Sequence, residues 1–262
     1  MTPLTGLAAG QHLERVAIEV SQIAAMLVRG EVGRAAAAGT KSSPTDVVTA
    51  TDVKSEALIR RELMARCPGS TIVGEELSDE LGSNAIRWIV DPIDGTVNFL
   101  YDLPVVSVSI AATIDGVTVA GAVTDIIRAE TYSASAGGGA RRDGVDISVR
   151  PVTELATSLV GTGFAYDAER RRQQARIIAD LLPATRDIRC MGSAALNLCW
   201  VGCGRLDAYF EQDTKPYDYA AGALIAAEGG AIVELPDRSD LNLVVAAPES
   251  IFGSLRALVT LT

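Results

Sequence analysis

Apolar residues recur at helical spacing from about residue 10 to residue 30. Leu13, Val16, Ala17, Val20, Ile23, Ala24 and Leu27 share one stripe, which predicts an amphipathic helix. Gly33 to Thr49 lacks that period and holds Gly39, Lys41, Ser42, Ser43 and Pro44, so it reads as a loop. A second helix is predicted over about 51–66, with Thr51 or Asp52 as its cap. Ser70 to Val73 reads as a short strand running into Gly74-Glu75-Glu76, and the apolar run Trp88-Ile89-Val90 as a buried strand. From Val105 to Ser135 the pattern is β-like, with turns at Gly116 and at Arg128-Ala129. Gly137-Gly138-Gly139 closes that section as a turn, because the G-x-x-x-x-G-K-[ST] spacing of a phosphate loop is absent.

The second half alternates strand and helix. Strands are predicted at Leu159–Gly161, Arg186–Arg189, Leu206–Phe210, Ala231–Glu234 and Leu243–Ala246. Helices fall at Ala168–Leu182, Ala194–Cys203, Tyr217–Glu228 and about 248–259. Alternation of this kind packs helices on a sheet, so the fold class is α/β in layers. A chain of 262 residues suits one compact unit of two halves. The expected division is 1–148, an α+β half, and 149–262, an α/β half.

Composition narrows the function. The formal net charge of −10 argues against nucleic-acid backbone or anionic membrane as the main partner. It does not argue against a phosphorylated substrate, since bound cations reverse a local field. No uncharged apolar stretch is long enough to span a membrane. Glu14, Arg15 and Glu19 interrupt the N-terminal segment, so no signal peptide is expected. Cysteines 67, 190, 199 and 203 lack metal-site spacing and read as buried thiols in a reducing cytoplasm. The single histidine, His12, is far in sequence from every acid cluster, which disfavours Ser-His-Asp and His-rich metal chemistry. Arg170-Arg171-Arg172 reads as a solvated helix face.

Asp91-Pro92-Ile93-Asp94-Gly95-Thr96 carries the candidate chemistry. A strand end there presents two carboxylates, a bare turn and a hydroxyl. Such a set suits a hard divalent cation such as Mg²⁺, which takes oxygen ligands and leaves room for water and phosphate. The alternative is an Asp-rich turn capping the next helix. Further acids lie beside predicted element ends: Asp52, Glu75, Glu76, Glu211 and Asp218.

Taken in order, these segments resemble the inositol monophosphatase family of Mg²⁺-dependent, lithium-sensitive phosphomonoesterases. The likeness rests on Gly74-Glu75-Glu76, on Trp88 through Phe99, and upstream on Lys41 through Asp52. Downstream it rests on Gly192-Ser193-Ala194-Ala195, Gly204 through Glu211, Pro216 through Gly222, and Glu228-Gly229-Gly230. The resemblance implies the five-layered αβαβα sandwich shared with fructose-1,6-bisphosphatase, assembled as a homodimer. It also implies roles. Glu75, Asp91, the carbonyl of Ile93 and Thr96 would hold a first Mg²⁺. Asp91, Asp94 and Asp218 would hold a second, and a third, weaker ion would sit near Glu75. Asp52 and Thr96 would orient and deprotonate the attacking water, with Glu75 counted among the catalytic residues. The amides of Gly95 and Thr96 would cradle the phosphate. Asp94, Ala194 through its backbone, Glu211 and Asp218 would contact the departing alcohol, and Lys41 would lie on a loop over the site.

The implied substrate is a small phosphorylated polyol, myo-inositol 1-phosphate first. Fructose 1,6-bisphosphate, histidinol phosphate and 3′-phosphoadenosine 5′-phosphate are alternatives, as is a regulatory role through partner binding. Tyr217 stands where the family commonly has Trp, Lys215 beside it is a local variation, and Asn197 reads as helix packing.

Overall fold

The computed structural model describes residues 6–34, 36–40, 47–236 and 242–260. Lys41 and the rest of 41–46 lie outside them. Helix α1 spans Gly6–Gly30. Strands β1 (Ala37–Thr40) and β2 (Val47–Thr49) pair antiparallel, so part of the expected 33–49 loop is a hairpin. The β-branched run Val47-Val48-Thr49 supplies the strand preference there. Helix α2 (Ala50–Arg66) is capped by Thr49, not by Thr51 or Asp52. Thr49 Oγ1 accepts from the Thr51 amide at 3.2 Å, and Asp52 Oδ2 accepts from the Thr49 amide at 2.9 Å. Asp52 is therefore the third helical residue of a capping box.

Among the described residues the remaining strands form two large sheets. The first contains β3 (Thr71–Gly74), β4 (Ile86–Asp94), β5 (Ser107–Ile114), β6 (Val117–Asp125), β7 (Glu130–Ser135), β8 (Ala140–Arg142) and β9 (Val145–Asp146) in sequential order. Only β3 and β4 are parallel. A short helix, α3 (Thr96–Leu100), follows β4. The triglycine is the expected turn, with Gly137 and Gly139 at positive φ. Both of their amides donate to the Glu228 carboxylate at 2.8 Å. Strands β8 and β9 beyond it are too short for a pattern to reveal.

The second sheet has the order β11-β10-β12-β14-β13. Its strands are β10 (Leu159–Thr162), β11 (Asp187–Cys190), β12 (Ala208–Gln212), β13 (Ile232–Glu234) and β14 (Leu243–Ala247). Helices α4 (Ala168–Leu181), α5 (Ala194–Gly202), α6 (Pro216–Glu228) and α7 (Glu249–Val259) complete the chain. Strand β12 starts at Ala208 and not at Leu206, because the amides of Arg205 and Leu206 fold back on the Trp200 carbonyl at the end of α5.

Stacking gives five layers. Helices α1 and α2 cover one face of the first sheet, α5 and α6 lie between the sheets, and α4 and α7 cover the far face of the second. Period-two alternation feeds the three cores. In β5, Val108, Ile110 and Ala112 face α1 and α2, while Ala111 faces the middle layer. In β14, Val244 and Ala246 face the middle layer, while Leu243, Val245 and Ala247 face α4 and α7. All four cysteines are free. Cys67 and Cys199 are buried, but Cys190 is exposed at the end of β11, against the expectation of a buried thiol. Of the arginine run, Arg172 pairs with Glu169 at the surface, whereas Arg170 is tied to Asp213 by two 2.9 Å bonds.

Small residues set the thickness of the middle layer. Ala220, Ala221, Ala223 and Ala226 of α6 are buried, and Gly222 among them meets α5 directly. A Cβ at Gly222 would stand 2.8 Å from Leu198 Cβ and 2.9 Å from the Ala195 carbonyl oxygen. Alanine ordinarily favours a helix over glycine by about 1 kcal/mol. Here Gly222→Ala is expected to destabilise instead, by about 1–3 kcal/mol, because one of the clashing atoms is backbone. Urea denaturation of the variant beside the wild type checks the sign.

Candidate active site

Asp91–Asp94 is the distorted end of β4, and the turn comes only at Gly95. Asp91 pairs with Ser109 and Asp94 with Ser107, so Pro92 and Ile93 together oppose the single residue Val108. Proline cannot donate to the ladder, and a bulge is where a sheet tolerates it. Asp91 is almost fully buried, and its Oδ1 accepts the Ile93 amide at 3.0 Å. Because Gly74 of β3 pairs with Val90 of β4 in parallel register, Glu75 and Asp91 follow at the same level of adjacent strands.

Gly95 then turns the chain at φ +94°. A Cβ there would lie 2.8 Å from the Val105 carbonyl oxygen, so glycine is required on two counts. Asn98 pins the turn from α3, donating to the carbonyls of Val105 at 2.8 Å and Met191 at 2.7 Å. Thr96 opens α3. Its Oγ1 lies 3.1 Å from Asp52 Oδ1 and 3.0 Å from the Ile93 carbonyl oxygen. Asp52 is fully buried, with Oδ2 engaged in the cap of α2 and Oδ1 turned to Thr96.

Asp94 joins this segment to the other half of the chain. Its carboxylate accepts from Ser107 Oγ at 3.1 Å, from Ser193 Oγ, and from the amides of Ala194 at 3.2 Å and Ala195 at 3.0 Å. It thereby occupies the N-terminus of α5, and the Ala194 amide expected to meet substrate is already donated to it. Burial raises the Asp94 carboxyl above the ordinary range, and the four donors oppose that rise.

Asp218 is the third residue of α6 and accepts the Lys215 amide at 2.5 Å. Burial is the main cause holding its carboxyl well above the usual range, and the charges of Glu75, Asp94 and Glu211 add to it. These four acids therefore share one neighbourhood. Glu211 sits on β12, two residues from Tyr209 and on the same face, and the Tyr209 hydroxyl donates to its Oε2 at 2.7 Å. Burial pushes Glu211 up to about 7, the Tyr209 bond draws it back, and the Asp94 charge adds to the rise. Gly163 makes room for the Glu211 carboxylate, which a Cβ there would strike.

Asp52 and Thr96 are bonded to each other, Asp94 reaches Ala194, and Glu75, Asp94, Glu211 and Asp218 interact electrostatically. Among the described residues no three acidic, histidine or cysteine side chains close into a ready metal shell. Several carboxylate oxygens are engaged by hydroxyls and amides instead. The donor set nonetheless fits a hard cation: it is all oxygen, crowded with like charge, and raised in pKa as uncompensated acids are. Pattern reading missed Thr49, Ser107, Ser193 and Tyr209 as partners of these acids. Only the i, i+2 spacing of Tyr209 and Glu211 carried a sequence signal. Asn197 is fully buried in α5 near Gly161, as packing predicts.

The chain matches the inositol monophosphatase family over residues 10–260, and it belongs to that family. It is 46% identical over 230 residues to the inositol-1-monophosphatase of Mycobacterium leprae, covering 83% of this chain and 79% of that one. It is 40% identical over 196 residues to the Nus factor SuhB of Pasteurella multocida, covering 74% and 73%. The solved structure of Mycobacterium tuberculosis SuhB superposes with a TM-score of 0.82 at 42% identity, covering 95% of this chain and 96% of that one. No helix among the described residues is long and apolar enough to cross a membrane.

The raised Glu211 has a measurable consequence. The folded chain binds its proton up to about 7, whereas an unfolded glutamate releases it near 4.5. Between those values the folded state holds more protons, so this group's contribution to stability falls as pH rises through the window. Glu211→Gln removes the slope. The stability of the variant relative to wild type should rise between pH 5 and pH 8 by up to roughly 3 kcal/mol. Urea denaturation of both proteins at the two pH values, in chelator, checks it.

Proposed function

We propose that the chain hydrolyses a small phosphate monoester, myo-inositol 1-phosphate first, with two or three Mg²⁺ ions. The bond between Asp52 and Thr96, beside the Asp91–Asp94 bulge, carries this reading. Relatives named inositol-1-monophosphatase support the substrate. Glu75, Asp91, the Ile93 carbonyl, Asp94, Thr96 and Asp218 would hold the ions. Bound Mg²⁺ supplies charge neutralisation on the phosphate and acidifies a coordinated water.

The chain's own residues do the rest. Thr96 Oγ1 donates its hydrogen bond to Asp52 Oδ1, which leaves its lone pairs to accept one from the attacking water. As the water attacks, its proton passes to Thr96 Oγ1 while the threonine's own proton passes to Asp52, so Asp52 ends with the one proton released and its cap bonds fix its orientation. The amides of Gly95 and Thr96 open the first turn of α3, where helical geometry leaves N–H groups without intrahelical partners to receive phosphate oxygens. Glu211, held by Tyr209, accepts hydroxyl hydrogens of a polyol when ionised.

A second reading, macromolecular partner binding in addition to hydrolysis, is favoured by the relative named a Nus factor. Asp91→Asn separates the two, since it would spare a partner surface and remove turnover.

Phosphate release is the test. With Mg²⁺, turnover should be strongest on inositol 1-phosphate among the four candidate phosphates, and Asp91→Asn should lower it by about 100-fold or more. A different best substrate would move the assignment, and no turnover on any of them would sink it. Mg²⁺ should also raise thermal stability, by about 2.7 kcal/mol at a concentration 100 times its dissociation constant. Melting curves across a Mg²⁺ series that superpose would exclude coupling of the ion to the fold.

A further inference from the structure

We propose that Glu56 is a positioning residue for the Glu75 arm of the metal site, a role that presupposes the metal-dependent reading above. Helix α2 turns a polar stripe toward the site. Asp52, Ser55, Glu56 and Arg60 are all buried on one face, at the three- and four-residue spacings that make helical neighbours. Asp52 bonds to Thr96, and Ser55 Oγ donates to the Pro92 carbonyl at 3.1 Å. One turn further along, Glu56 and Arg60 grip the loop that carries Glu75.

That grip falls on the backbone. Glu56 Oε2 accepts the Glu76 amide at 2.7 Å, and Oε1 accepts the Leu77 amide at 3.2 Å. Arg60 donates twice to Oε1, at 2.9 and 2.6 Å, and once to the Leu77 carbonyl at 3.1 Å. Glu56 has no exposed surface, so these donors stand in for the water its carboxylate has lost. Gly74 lets the carboxylate in, since a Cβ there would run into it. Glu75 is thus fixed from both sides. Before it, Gly74 is registered on Val90 beside Asp91; after it, two amides are clamped to α2. The same rigid helix holds Asp52 at its first turn, so α2 sets the distance between the proton acceptor and Glu75.

Metal affinity, not activity, decides the matter, and Mn²⁺ followed by electron paramagnetic resonance on the full chain is the probe. Glu56→Gln keeps the volume but turns a donor toward the Glu76 or Leu77 amide. It should weaken Mn²⁺ binding by about 10- to 100-fold, the usual effect of losing a group that orients a ligand. KM for substrate at saturating metal should change less than about threefold on the same grounds. Glu56→Asp keeps the charge beside Arg60 but withdraws it by one methylene. It should shift Mn²⁺ affinity in the same direction and carries the test if the glutamine variant does not fold. A role in folding alone would lower the melting temperature and leave the dissociation constant of the folded variant at the wild-type value, which overturns the proposal. Failure of the wild-type chain to bind Mn²⁺ overturns the metal reading beneath it, so the two failures are distinguishable.

Discussion

The buried carboxylate of Asp94 is the joint on which this molecule turns. It grows from the bulged end of one sheet and is received by Ser193 and two amides at the start of α5. Burial alone would drive such a group neutral. The four donors hold it, and the three from Ser193, Ala194 and Ala195 fasten the first sheet to the middle helical layer. Because α5 and α6 pack through alanine and glycine, that layer is thin and transmits the fastening to the second sheet. Asp218 and Glu211, which belong to the second half of the chain, therefore reach the same neighbourhood as Glu75.

Much of this was legible in the sequence, for identifiable reasons. The long helices and the alternation of the second half follow hydrophobic period, which burial then enforces. The bulge was not legible, because a strand end at Asp91-Pro92-Ile93-Asp94 gives no sign that the partner strand continues pairing on both sides of the proline. Neither was the β1–β2 hairpin, whose strands run three or four residues, nor the exposure of Cys190 at a strand end. The acids of the site were visible one by one. Their partners were not, since Ser107, Ser193 and Thr49 are ordinary residues until the fold places them beside a carboxylate.

Electrostatics at the site runs against local comfort. Asp94, Glu211 and Asp218 all lie above their ordinary ranges, and burial leads the causes in each. A fold selected for stability alone would separate such groups or replace them with apolar ones. Their retention in one neighbourhood marks it as a place where function overrides the preferences that built the surrounding layers.

The capping box of α2 gives position 52 two occupations at once. One oxygen of Asp52 starts a helix, and the other faces the threonine that opens the next. Drift at this position is therefore constrained from two directions: a lineage that abandoned the chemistry would still keep the aspartate to begin the helix. Presence of that acid in a relative is poor testimony that the relative turns over substrate. Thr96, whose side chain caps nothing, is the more truthful witness.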